Sequence, residues 1–251
     1  MLFVASAASA QYYYVPYPGA GTNPGSLNND GEYPVGGGLP AGWTSIHAGS
    51  AAAPAWSSLA TIPFAFQFNG SAVTQFKVST SGVLTFTTSA VTVPPYSIVA
   101  LPSANIPDNS VCVLGLRGTG ANDNIVTKTF GTAPNRQFWV LFSSYSTSNA
   151  NIYTYWSVVL EETSNNIYIV DQRHNQAYNV SAGIQLNSTT ATAIAGSPAL
   201  QTLAGADATP ADNSYYQFIY GTQAADQARL KSVTVNPYIV HPVPPLLRVK
   251  S

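Results

Sequence analysis

From residue 60 to residue 222 the apolar positions come in short runs divided by clusters of Gly, Pro, Asn and Ser. Nowhere do they recur at i, i+3, i+4 and i+7 over a helical length, so the period is that of strands. The runs are rich in Val, Ile, Thr, Tyr and Phe, which suit a pleated, half-buried surface. They predict strands at Ile62 to Phe68, Val73 to Ser79, Val83 to Thr88, Val111 to Arg117, Ile125 to Phe130, Gln137 to Ser144, Ile152 to Glu162, Ile167 to Arg173, Ser181 to Leu186 and Tyr215 to Tyr220. Ten short strands in one stretch predict an all-β, two-sheet antiparallel β-sandwich of the jelly-roll or lectin-like kind.

The clearest hairpin runs from Tyr153 through the turn Thr163-Ser164-Asn165-Asn166 to Asp171. Pairing Glu162 with Ile167 sets Leu160 opposite Ile169 and Val159 opposite Val170. Trp156, Val158, Leu160, Ile167 and Ile169 then face the core. The other face carries Tyr153, Tyr155, Tyr168 and Gln172, an aromatic and amide surface suited to stacking on sugar rings. Gln137 to Phe142 is apolar on both faces, as expected of a central strand covered on both sides.

Composition adds a constraint on partners. Only 8% of residues are charged, nine Lys plus Arg against ten Asp plus Glu, against roughly 25% in an average domain. The basic residues are scattered, so nothing neutralises phosphates and a nucleic-acid partner is not expected. No apolar run of 18 residues exists, so no transmembrane helix is expected either.

At the start, Leu2-Phe3-Val4-Ala5 leads into Ala8-Ser9-Ala10-Gln11, an apolar run followed by a small-residue cleavage site, which reads as the remnant of a signal peptide. The single Cys112 sits among aliphatics in Val111-Cys112-Val113-Leu114 and is expected to be a small buried hydrophobe. The sequons at Asn69, Asn179 and Asn187 are expected by chance in so Asn-, Ser- and Thr-rich a chain. Towards the end, Arg229 to Val235 alternates like a first strand, and the prolines of His241-Pro242-Val243-Pro244-Pro245 bar that segment from a central strand.

Several blocks resemble the N-terminal β-sandwich module of secreted, type IX secretion-type surface proteins of the Bacteroidota. They are Asn29 to Trp43, Ile62 to Gly70 with Phe76 to Phe86, Gly131 to Arg136 and Val158 to Tyr168. The resemblance implies export to the surface and, after the sandwich, an immunoglobulin-like module of which Ala228 to Val240 would be the opening. The expected organisation is a signal-peptide remnant at 1–10, an extended Gly/Pro/Tyr-rich lead at 11–37, the sandwich at 38–222, and a linker with the first strand of a truncated second domain at 223–251.

Chemistry is sparse. There is no Gly-x-Ser-x-Gly and no His-Glu-x-x-His. Asp171 and His174 are three apart, a spacing that defines no triad. Glu161 and Glu162 alternate between faces of a strand, and Glu162 and Asp171 are separated by roughly 13 Å along one face, too far for the carboxylate pair of a glycosidase. Asn122-Asp123-Asn124 and Asp207 with Asp212 are the densest oxygen clusters, and turn formation explains both. No cofactor and no metal is expected. The sequence therefore predicts a non-enzymatic, exported structural or adhesive module. Its expected partners are glycans, other surface proteins or copies of itself. Two alternatives remain open, a carbohydrate-binding module using the tyrosine face and an accessory domain of a larger secreted hydrolase.

Overall fold

A computed structural model describes residues 11–32, 38–149 and 151–221. The expected signal-peptide remnant and second domain lie outside the described residues. Fourteen strands follow in order: β1 (Gln11–Tyr17), β2 (Thr44–Ala48), β3 (Ala60–Phe68), β4 (Ser71–Ser79), β5 (Val83–Thr85), β6 (Ser110–Leu114), β7 (Asn124–Phe130), β8 (Gln137–Tyr145), β9 (Thr154–Glu161), β10 (Ile167–His174), β11 (Asn179–Asn187), β12 (Thr190–Ala193), β13 (Leu200–Gln201) and β14 (Ser214–Gly221). One sheet has the order β1-β14-β10-β9-β8-β7-β2, the other β12-β11-β6-β5-β4-β3 with β13 against β11. All pairings are antiparallel, and the two sheets pack face to face as the expected β-sandwich.

Strict alternation builds the inner layer. In β3 every second residue is buried, Ala60, Ile62, Phe64, Phe66 and Phe68, against Phe76, Val78, Leu84 and Phe86. The facing sheet contributes Phe138, Val140, Phe142, Trp156, Val158, Leu160, Ile167 and Ile169. Every hairpin residue expected in the core is there. The register differs: Ile167 pairs with Leu160 and Tyr168 with Val159, two residues from the expected alignment. The turn is longer than four residues because the Glu161 N–H closes onto the Asn166 carbonyl at 3.0 Å, with Thr163 and Asn165 at positive φ. A two-residue slip preserves the side-chain faces, whereas a one-residue slip inverts them.

Gln11 to Tyr17, expected in a lead outside the sandwich, is instead the edge strand β1, paired along its length with β14 from Gln11↔Gly221 to Tyr17↔Tyr215. The Tyr12 ring enters the core beside Phe68, at 5.4 Å between centroids.

The outer faces of both sheets are covered by the chain itself. Over the first sheet lie residues 18–32 and 38–43, pinned by Gly19 N–H to Ser214 Oγ (2.9 Å), Asn213 Nδ2 to Asn23 Oδ1 (2.7 Å) and Glu32 N–H to the Ala208 carbonyl (3.2 Å). Over the second lies the long loop 86–109. Gln185 of β11 anchors it by accepting the Ser103 N–H and donating to the Ser103 and Ile106 carbonyls, each within 2.9 Å. Under that loop Ile106 closes over Val83, Cys112 and Leu114. Cys112 is fully buried and reduced, as expected.

Candidate functional site

The face of β9 and β10 expected to bind ligand continues across β8 as Trp139 and Leu141 and across β7 as Val126. Alternation places Tyr155, Val159, Tyr168 and Val170 on this same side. The sequence pattern thus assigns the residues to the correct face, but that face is not open to solvent. Tyr155 is 2% exposed, Tyr168 7% and Gln172 2%; of the four expected site residues only Tyr153 is partly at the surface. The aromatic binding surface is corrected to a second apolar layer that includes Trp43, with Phe130 and Tyr215 packed against it.

The polar groups of this layer are committed to one another. Ser157 donates to Gln172 Oε1 at 2.5 Å, where a bulge between Asp171 and Arg173 turns Gln172 out of register. The Tyr168 hydroxyl donates to both oxygens of Glu161, which also accept from Ser164 and Asn166. Burial and the adjacent Glu161 carboxylate push the Tyr168 phenol upward. Asp30 of the covering segment takes the Trp43 indole N–H at 2.8 Å and the Lys128 ammonium at 2.5 Å.

At the end of this layer several acids gather. Asp171 points the other way from Gln172 and accepts the Leu203 and Ala204 N–H groups at 2.7 and 3.2 Å; burial nevertheless raises it to about 7. Glu32, in the covering segment, is 2% exposed, and neither of its oxygens has a formed hydrogen bond. Burial raises it to about 8, with the Asn213 amide offsetting part of the cost and the Asp212 charge adding to it. Asp212 itself takes the Gly205 N–H at 2.6 Å, and Asp207 caps Thr209. His174 is held below its ordinary value by burial. Among the described residues no three of His, Cys, Asp and Glu gather as metal ligands. The other oxygen cluster is likewise committed: Asp123 accepts the Gly120 N–H at 2.7 Å within a turn, and Asn124 of β7 accepts the Ser45 hydroxyl of β2.

The sequence singled out Asp207 with Asp212 as an oxygen cluster but did not show that Glu32 joins it, because only the fold brings them together. The signal was faint: an acid within a segment of few charges.

Fold and surface together define a β-sandwich domain, with its polar groups directed inward and a weakly charged exterior. The chain belongs to the family described as NIDO related, whose model matches residues 40–220, and this domain is found in extracellular proteins. No curated protein and no solved structure matches the chain. Among the described residues no helix is long and apolar enough to cross a membrane.

Proposed function

We propose that this domain is an exported, non-catalytic module of the cell surface or extracellular space, acting as a structural or adhesive unit. The use of its acids carries the reading. Acid–base catalysis on glycans needs two carboxyls about 5 to 9.5 Å apart and accessible to substrate. Here Asp30, Asp123, Glu161, Glu162, Asp171, Asp207 and Asp212 each accept hydrogen bonds that hold a turn, a loop or the covering segment. Of the other two described acids, Glu32 is buried and Asp108 is exposed.

Membership of a family found in extracellular proteins supports the setting. The blocks that resemble secreted surface proteins support export by the type IX route as part of this proposal. A chain with 8% charged residues has little electrostatic repulsion between copies, which favours self-association through hydroxyl and apolar contacts. Tyr17, Leu39, Leu59, Val91, Ile98, Leu203 and Tyr220 are large apolar side chains left at the surface for it.

Sedimentation of the full chain over a range of concentrations tests the reading. Growth in mass with concentration, persisting at high salt, is expected. A monomer at every concentration that turns over polysaccharide, ester or peptide, and loses that turnover when one of the named acids is replaced, overturns it.

A further inference from the structure

A cavity of about 210 Å³ opens at one end of the sandwich, between the loop 86–109, the segment following β6, the turn following β8 and the start of β11. Arg117 lines it, half-buried, its main chain fixed by reciprocal hydrogen bonds with Ser146 at 2.9 and 3.2 Å. Its guanidinium lies 5.8 Å from the centre of the Tyr96 ring.

Among the described residues the charge of Arg117 meets the Tyr96 ring but no carboxylate. Lys128 is paired with Asp30 and Arg136 with Glu162. Lys77 is spent on the Ala90 carbonyl and the Trp56 ring. The Arg117 guanidinium has no carboxylate within ion-pair reach and no hydrogen bond among the described residues. Asp123, the acid that shares the surroundings of Tyr96, is turned onto Gly120 N–H. The Ser97 and Ser148 hydroxyls and the Asn179 amide also line the cavity, at its exposed rim. Gly115, which also lines it, sits at φ +117°, where a Cβ would stand 3.1 Å from the Asn179 carbonyl.

A guanidinium presents a planar fork of donors that matches a carboxylate in bidentate fashion. Hydroxyls and an amide can each donate and accept, which matches a polyol. The volume is below the roughly 300–1,000 Å³ of drug-sized sites, so it admits a single ring-sized unit. We propose that this cavity binds one sugar-acid unit, Arg117 holding the carboxylate and Ser97, Ser148 and Asn179 the hydroxyls. The site is separate from the covered β9–β10 face, and it stands whether or not the domain self-associates.

Calorimetric titration of the full chain tests this with glucuronate, a galacturonate trimer, glucose and acetate. Saturable binding of glucuronate, with Kd on the order of 1 mM, is expected. Glucose and acetate should bind at least about tenfold more weakly, since each lacks half of the matched chemistry. A trimer that binds more tightly than the monomer assigns the site to a polysaccharide, and equal binding assigns it to the free acid. Arg117→Gln should weaken binding at least about tenfold with the denaturation midpoint unchanged. If that variant is unstable, Arg117→Lys and Ser148→Ala make the same comparison, each with a several-fold loss. Absence of saturable binding by both acids, acetate binding as well as glucuronate does, or wild-type affinity in these variants overturns the proposal.

Discussion

The hydroxyl of Tyr12, in the edge strand of one sheet, accepts the backbone N–H of Asn69 at 3.0 Å, in the turn between β3 and β4 of the other. Asn69 has φ +49° at that turn. The Tyr12 ring fills space against Phe68 while its tip satisfies the backbone, and burial raises its phenol to about 12. One side chain of the N-terminal segment thereby joins the two layers.

Replacing Tyr12 with Phe should therefore cost about 1 kcal/mol, the net worth of a buried hydrogen bond. Tyr12→Ala should cost about 3 to 5 kcal/mol, as for a buried aromatic. Urea denaturation of the two variants checks the ranking. Equal and small effects would mean that β1 is not part of the cooperative unit.

The hairpin faces can be tested in the same way. Leu160 is fully buried in the main core, whereas Tyr153 is partly exposed and rests on Tyr155 and Arg173. Leu160→Ala should destabilise by about 2 to 5 kcal/mol and Tyr153→Ala by far less. The reverse order would require the opposite face assignment.

Acidity should stabilise the fold around Glu32. Its carboxyl is raised from 4.5 to about 8, and Asp171 from 3.8 to about 7, both by burial. Each folded value lies above the unfolded one, so the folded state holds the extra protons. Their contribution is complete below about pH 4 and is lost as pH rises towards 8. His174 and His47, lowered by burial, act oppositely and cost stability as pH falls below about 6.5. The melting temperature should fall between pH 6 and pH 8.5. Glu32→Gln should flatten that fall, because each tenfold gain in proton affinity on folding is worth about 1.4 kcal/mol and Glu32 alone accounts for a few kcal/mol. A wild-type melting temperature that is constant or rising over this interval would contradict the burial of Glu32.

Cys112 offers an independent measure of opening. It is fully buried beneath Ile106, and burial pushes its thiol far above the ordinary value. Alkylation in the native state should be slower than in urea by several orders of magnitude, and should accelerate in variants that unseat the loop 86–109, such as Gln185→Ala. Rapid labelling of the native wild type would show that the loop is open.

The alternation in β3 and the two-sided apolar run of β8 made the core and the central strand legible, since burial in a sheet has a period of two. The β9–β10 faces were legible for the same reason. The solvent state of the outer face was not. Period two says that Tyr155 and Tyr168 share a side, but not that this side is buried in one cluster with Trp43, more than a hundred residues away in the chain. The hairpin register was missed because the loop from Glu161 to Asn166 uses left-handed Thr163 and Asn165, residues without the Gly signature of a short turn. Arg117 carried no signal in sequence, since a charge without a carboxylate partner is recognised only once the partners of the other charges are known.

The pairing of Gln11 with Gly221 has a mechanical consequence. The described domain begins on the edge strand β1 and finishes on its antiparallel neighbour β14, so a pull applied at these two residues acts across the ladder. Hydrogen bonds loaded in that direction fail one pair at a time, from Gln11↔Gly221 towards Tyr17↔Tyr215, as a zip opens. A sandwich tethered through its chain ends would thus yield gradually at one corner under tension. The core and the Arg117 cavity would stay folded while β1 peeled away.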